Sequence, residues 1–182
     1  MLSFVNLSPV RRLGIWRMMN VMFAGNSRVF DGILTCALSI FRRSEQRCGI
    51  HFYVLTMDVS HIKPEYTAID DSAIAFLDRV AKEYHPDNCF TKIDVTDLYR
   101  EEFAACPNED AYCSPYTLIR LFADRLPLPD KILYLDADIM FNRDIDLLYS
   151  VDVSAVEYAA ARDHYGKYLV NPNYINAGVI LM

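Results

Sequence analysis

An α/β fold is what this 182-residue sequence predicts, and three observations carry the prediction. Short apolar runs recur at Asn20 to Gly25, His51 to Thr56 and Lys131 to Leu135, each of strand length. Between them lie stretches whose apolar residues return at helical spacing, such as Leu34, Ala37, Leu38 and Phe41. The third run ends in Asp136-Ala137-Asp138, which puts two carboxylates at the carboxyl end of a buried strand, where open α/β sheets bind ligands.

Taken in order, the first run is broken by the turn cluster Gly25-Asn26-Ser27, and a helix ending in Arg42 and Arg43 follows, its basic end suited to the negative helix pole. This strand, turn and helix carry no Gly-x-Gly-x-x-Gly and no Walker lysine, so a nucleotide here is held in another way. After the second strand, Asp70-Asp71-Ser72 offers N-caps to a helix bearing Ile74, Leu77, Val80 and Tyr84, which His85-Pro86 ends. Phe90 to Val95 reads as a shorter strand, Leu98 to Phe103 as a brief helix and Cys106 to Asp110 as loop. From Pro115, a helix through Leu118, Ile119, Leu121 and Phe122 should bring Arg120 near the strand with the two acids, before Pro127 and Pro129 stop it. Asn142-Arg143-Asp144 opens a turn and a short helix through Leu147 and Leu148. Glu157 to Arg162 fits either strand or helix, Asn171-Pro172-Asn173 is loop, and Tyr174 to Met182 is an apolar strand.

At 53% hydrophobic and 23% charged the chain is globular, and its length suits one domain with a sizeable core. A net charge of −6 and a pI near 5.1 leave no basic stripe to release counterions, which argues against a nucleic-acid partner. Cys36, Cys48, Cys89, Cys106 and Cys113 are odd in number and contain no Cys-x-x-Cys pair, so neither a disulfide framework nor a zinc site is suggested and a cytoplasmic location is expected. No apolar run reaches the roughly 18 residues of a transmembrane segment. Residues 1–19 form an N-terminal extension read as a frayed tail. A short amphipathic anchor built on Arg11, Arg12, Trp16 and Arg17, giving peripheral membrane contact, is the alternative.

Side chains two apart on a strand share a face, so Asp136 and Asp138 are expected to project together. Two carboxylates that close repel each other unless a cation sits between them. Magnesium or manganese takes one or two protein carboxylates and fills its shell with water and phosphate oxygens, which makes a diphosphate-bearing substrate the first partner to expect. The plainer alternative is a turn cap beside a solvated strand end. A calcium loop fails, because Phe141 and Leu147 stand where the glycine and the bidentate glutamate are needed. A haloacid-dehalogenase-type phosphatase is disfavoured by Met140, where that motif has Thr or Val. His51, His61 and His85, in a strand or beside turns, are not read as ligands.

Three segments, Val21-Met22-Phe23-Ala24-Gly25-Asn26, Ile132-Leu133-Tyr134-Leu135-Asp136-Ala137-Asp138 and Tyr174-Ile175-Asn176-Ala177-Gly178-Val179, stand in an order that resembles the family 8 retaining glycosyltransferases. That family includes bacterial lipopolysaccharide sugar transferases and glycogenin, and the likeness spans roughly Asn20 to Met182. It implies a GT-A fold over 20–182, a Rossmann-like α/β/α sandwich with a mainly parallel mixed sheet, incomplete at the C-terminus. It also implies transfer of a hexose from a UDP-sugar to a glycan or glycoconjugate acceptor, such as a cell-surface polysaccharide, with the anomeric configuration retained.

By the same resemblance, Asp136 and Asp138 would hold Mn2+ or Mg2+, and Asp136 would also lie near the ribose. Ala24, Asn26 and Arg28 match positions lining a uridine pocket, although many members carry an acid where Asn26 stands. Arg120 matches an arginine close to the donor sugar, and Asp163 and Asn176 match polar contacts to that sugar. Ala177 and Gly178 would permit close backbone approach. Read without the resemblance, Arg120 is a surface bridge, Asp163 with His164 a loop dyad, and Asn176-Ala177-Gly178 a turn into an edge strand. The family pattern continues past that strand to a histidine that completes the metal shell and a lysine near the diphosphate. A truncated transferase is therefore expected, with a non-catalytic domain that binds a sugar nucleotide or a partner as the rival.

Overall fold

The computed structural model describes residues 18–45, 47–103, 106 and 114–182. The expectations for 1–17, for Cys113 and for most of the loop from Cys106 to Asp110 lie outside them. Among the described residues the strands are β1 (Met18–Ala24), β2 (Gly49–Thr56), β3 (Cys89–Asp94), β4 (Leu133–Leu135), β5 (Ala159–Arg162) and β6 (Ile175–Leu181). They form one sheet in the order β3-β2-β1-β4-β6-β5. β1 to β4 run parallel, β6 lies antiparallel to β4, and β5 antiparallel to β6, so the expected mainly parallel mixed sheet is present.

Both faces of the sheet are covered, which is why its central strands read as continuous apolar runs. Val21, Phe23, Phe52 and Val54 point to one side, where α1 (Phe30–Arg43) buries Ile33, Cys36, Ala37, Ile40 and Phe41 and α2 (Asp71–Tyr84) buries Ile74, Leu77 and Ala81. Met22, Leu55 and Tyr134 point to the other, against Tyr99 of α3 (Thr96–Phe103) and Tyr116, Ile119 and Phe122. Asp70 caps α2 as its sequence implies, its carboxylate accepting from the Ser72 amide at 2.7 Å.

Three local expectations change. The segment from Pro115 is not an α-helix but two 3-10 stretches, Pro115–Thr117 and Ile119–Arg125. Its backbone bonds reach three residues back, from Leu118 to Pro115 and from Leu121 to Leu118. Side chains add to them: the Ser114 carbonyl accepts from the Thr117 hydroxyl at 2.6 Å and the Thr117 carbonyl from Arg120 Nε at 2.9 Å. Second, β4 stops at Leu135, and residues 136–139 form a turn closed by Ile139 N–H to Asp136 C=O at 3.3 Å. Asp138 thus reaches its place from a turn, not by strand alternation. Third, a one-turn helix, α5 (Gly166–Leu169), follows Asp163 where the sequence showed none, after the short helix α4 (Asp146–Tyr149) that it did show. Pairing with β6 resolves the open segment at 157–162 as β5. Among the described residues, no helix is long and apolar enough to cross a membrane.

Candidate functional site

A cleft of about 460 Å³ opens over the carboxyl ends of β1 and β4. Ala24, Asn26, Arg28 and Tyr66 line one part of its wall, and Arg120, Tyr134, Asp136 and Asp138 another. Crevices in this position, beyond the strand ends of an open sheet, are the usual ligand sites of α/β folds.

The nucleotide-side residues predicted from the sequence come together here, and their surroundings explain how they are held. β1 ends at Ala24, and Gly25 packs so tightly on Val29 that a Cβ would lie 2.4 Å from a Val29 methyl. Asn26 is buried, and its Oδ1 accepts from the Arg28 amide at 3.1 Å, so one end of the side chain caps the 3-10 turn Ser27–Val29. Beside it in the cleft wall, the Tyr116 hydroxyl donates to the Met57 carbonyl at 3.0 Å. The Ser27 amide bonds the Thr67 carbonyl at 3.3 Å, and Arg28 lies 3.7 Å from Glu65, tying this turn to the loop that carries Tyr66.

The acidic turn is fixed on three sides. Helix α1 approaches it at Gly32, where a Cβ would stand 2.5 Å from the Ala137 carbonyl, and the Phe141 amide donates to Ser39 Oγ at 2.8 Å. The Asp136 amide donates to the Gly178 carbonyl at 2.8 Å, extending the β4–β6 pairing to the first acid. Asp136 Oδ1 accepts from the Tyr134 hydroxyl at 2.5 Å and lies 3.5 Å from Arg120 Nη1. Burial, and then the bond to Asp136, pushes the Tyr134 phenol well above its ordinary range, so it stays a donor. Asp138 is exposed, and no hydrogen bond or ion pair engages it among the described residues.

Arg120 is no free surface bridge. Its Nη1 donates to the Ala177 carbonyl at 2.8 Å, its Nε holds Thr117, and its guanidinium lies over the Tyr134 ring at 4.6 Å. Asp163, Asn176, Ala177 and Gly178 sit outside the cleft wall but connect to it. Asn176 Nδ2 donates to Asp163 Oδ2 at 3.2 Å, and Asn176 Oδ1 accepts from the Gly178 amide at 2.9 Å. Asp163 also accepts the Tyr165 and Gly166 amides at 2.9 and 2.6 Å, which nucleates α5. These bonds, the Gly166 amide foremost, hold its carboxyl below the usual range.

Sequence reasoning missed Tyr134, although its place two residues before Asp136 on a strand was a signal that the two side chains meet. It also missed Tyr66 and Tyr116, which no local pattern marks as cleft residues. The polar set suits an anionic ligand carrying a cation. Two carboxylates meet the demand of magnesium or manganese for one or two, with the remaining positions left to phosphate and water. No group of three His, Cys, Asp or Glu side chains able to hold a metal exists among the described residues.

Comparison with solved structures gives the fold. Galactosyltransferase LgtC, solved in complex with donor and acceptor sugar analogs, superposes with a TM-score of 0.66 at 22% identity over 90% of this chain and 57% of its own. GlyE of Streptococcus pneumoniae TIGR4 superposes with a TM-score of 0.63 at 22% identity, over 92% of this chain and 34% of that one. Glycosyltransferase GlyA of Streptococcus pneumoniae serotype 4 is 24% identical over 168 residues, which are 89% of this chain. The chain spans a fifth of that relative's length. The model of glycosyl transferase family 8 matches residues 20–182, nearly the whole chain, and the chain belongs to that family.

Proposed function

We propose that this chain carries the donor site of a retaining glycosyltransferase that moves a hexose from a UDP-sugar to a glycan or glycoconjugate acceptor. The observation that carries the reading is the convergence, in one cleft, of Asp136 and Asp138 with Arg120, opposite the buried Asn26. Asn26 and Arg28 would receive the uridine, Asp136 the ribose and, with Asp138, Mn2+ or Mg2+. Arg120, Asp163, Asn176, Ala177 and Gly178 would receive the donor sugar. When bound, the metal would neutralise charge growing on the leaving diphosphate. Arg120 adds a cation that Ala177, Thr117 and Tyr134 hold in place before any substrate arrives. The free thiols Cys36, Cys48, Cys89 and Cys106 suit a cytoplasmic setting, where nucleotide-sugars are made.

A second reading, a domain that binds the sugar nucleotide without transferring its sugar, draws support from a donor set that ends at two carboxylates among the described residues. A thermal-shift panel of nucleotide-sugars with manganese tests the donor claim. UDP-sugars are expected to raise Tm and GDP-, ADP- and CMP-sugars to leave it unchanged, since a ligand stabilises only the state that binds it. Equal shifts across the panel would contradict a uridine site. Release of UDP in the presence of an acceptor then separates transfer from binding.

A further inference from the structure

A carboxylate offers two oxygens, and in Asp136 they have different surroundings. Oδ1 takes the Tyr134 hydroxyl at 2.5 Å and faces Arg120 Nη1 at 3.5 Å, while Oδ2 lies against the bare Cα of Gly178, where a Cβ would stand 2.9 Å away. Arg120 is drawn off by other partners. Its Nη1 donates to the Ala177 carbonyl at 2.8 Å and its plane lies over the Tyr134 ring. Its contact with Asp136 therefore stays long and one-sided, rather than the bidentate fork that guanidinium and carboxylate form when unrestrained. Tyr134 itself is almost wholly buried at 2% exposure, and its place on β4, two residues before Asp136, whose amide continues the bonding to β6, sets the hydroxyl beside the carboxylate.

We propose that Tyr134 is a positioning residue for divalent-cation binding: its hydroxyl holds Asp136 Oδ1, keeps the carboxylate from closing onto Arg120, and leaves Oδ2 for the cation. This rests on the metal-dependent donor site proposed above. Without the hydroxyl, Asp136 turns toward Arg120, and the guanidinium takes the place of the cation as its partner. Partners that orient a metal-binding side chain typically matter about 10- to 100-fold in metal affinity.

The test uses the full chain and Mn2+ as the probe, with free Mn2+ followed by electron paramagnetic resonance in the presence of UDP. Tyr134→Phe keeps the buried ring and removes only the oxygen. The variant is expected to bind Mn2+ about 10- to 100-fold more weakly, with Tm little changed. Adding Arg120→Met is expected to recover part of that loss, and to gain more Mn2+ affinity in Tyr134→Phe than Arg120→Met alone gains in the otherwise unmodified chain, because only without the hydroxyl does the guanidinium compete for the carboxylate; equal gains in both backgrounds would overturn the positioning role. Wild-type Mn2+ affinity in Tyr134→Phe would overturn the positioning role while leaving the donor site standing. No Mn2+ binding by the unmodified chain would overturn the metal reading and this inference with it.

Discussion

Gly178 lies against the Asp136 carboxylate so closely that a Cβ would stand 2.9 Å from Oδ2, while the Gly178 carbonyl accepts the Asp136 amide at 2.8 Å. The glycine thus pins the backbone of the first acid and clears space for its side chain. Gly178→Ala must displace either the carboxylate or β6. The expected result is a loss of about 1–3 kcal/mol in stability by chemical denaturation, together with weakened manganese-dependent UDP binding. An alanine variant that keeps both would show that the approach is looser than the geometry indicates.

Asp138 presents the opposite case. Exposed and without a hydrogen bond among the described residues, it contributes little to folding. Asp138→Ala is expected to change stability by no more than about 0.5 kcal/mol while UDP binding loses its dependence on manganese. Urea unfolding and a metal titration on the same sample check both halves.

The acidic end of the strand was legible because its signals were local, whereas Asn26, Arg28, Asp163 and Asn176 were singled out only through the resemblance to a family. The run ending at Leu135 marked a buried strand and Asp136 its open end, and Asp70 was legible as a cap from its own neighbours. What the sequence concealed depended on contacts between distant residues or on the choice of backbone partner. The 3-10 winding at 115–125 is a choice of which carbonyl each amide bonds, three residues back instead of four, and apolar spacing cannot display it. Tyr66 and Tyr116 meet edge to face at 5.6 Å across fifty positions of chain, and only the fold brings them to the cleft. The apolar pattern at 174–182 marked a strand without indicating that it runs antiparallel to β4.

Asn88 is wholly buried and serves the fold rather than the cleft. Its Oδ1 accepts the Ile50 amide at 2.8 Å, and its Nδ2 donates to the Ala81 carbonyl at 3.0 Å, joining β2 to the end of α2. Asn88→Ala takes this acceptor from the Ile50 amide and leaves the Ala81 carbonyl with the His85 amide at 3.3 Å. We expect a destabilisation of roughly 1–3 kcal/mol, read from the urea midpoint at unchanged slope.

Asp163 gives a pH dependence. Its folded carboxyl is held below the unfolded value by the Gly166 amide first and by Asn176 next. A group depressed in this way stabilises the fold above its unfolded pKa, and that contribution fades as pH falls through the folded pKa. Local order at α5 should therefore persist at neutral pH and weaken in acid. The protection factor of the Gly166 amide, its NMR exchange rate set against the intrinsic rate at each pH, is expected to fall in wild type as pH is lowered and to be low at every pH in Asp163→Ala.

The most direct test of the donor site is calorimetric titration of UDP into the 182-residue chain, with and without manganese, beside Asp136→Ala/Asp138→Ala. The expected result is binding by the wild-type chain that strengthens with manganese and a double variant in which that strengthening is gone. Binding of equal strength with and without the metal, or unchanged binding in the double variant, would contradict a metal-assisted site at the acidic turn.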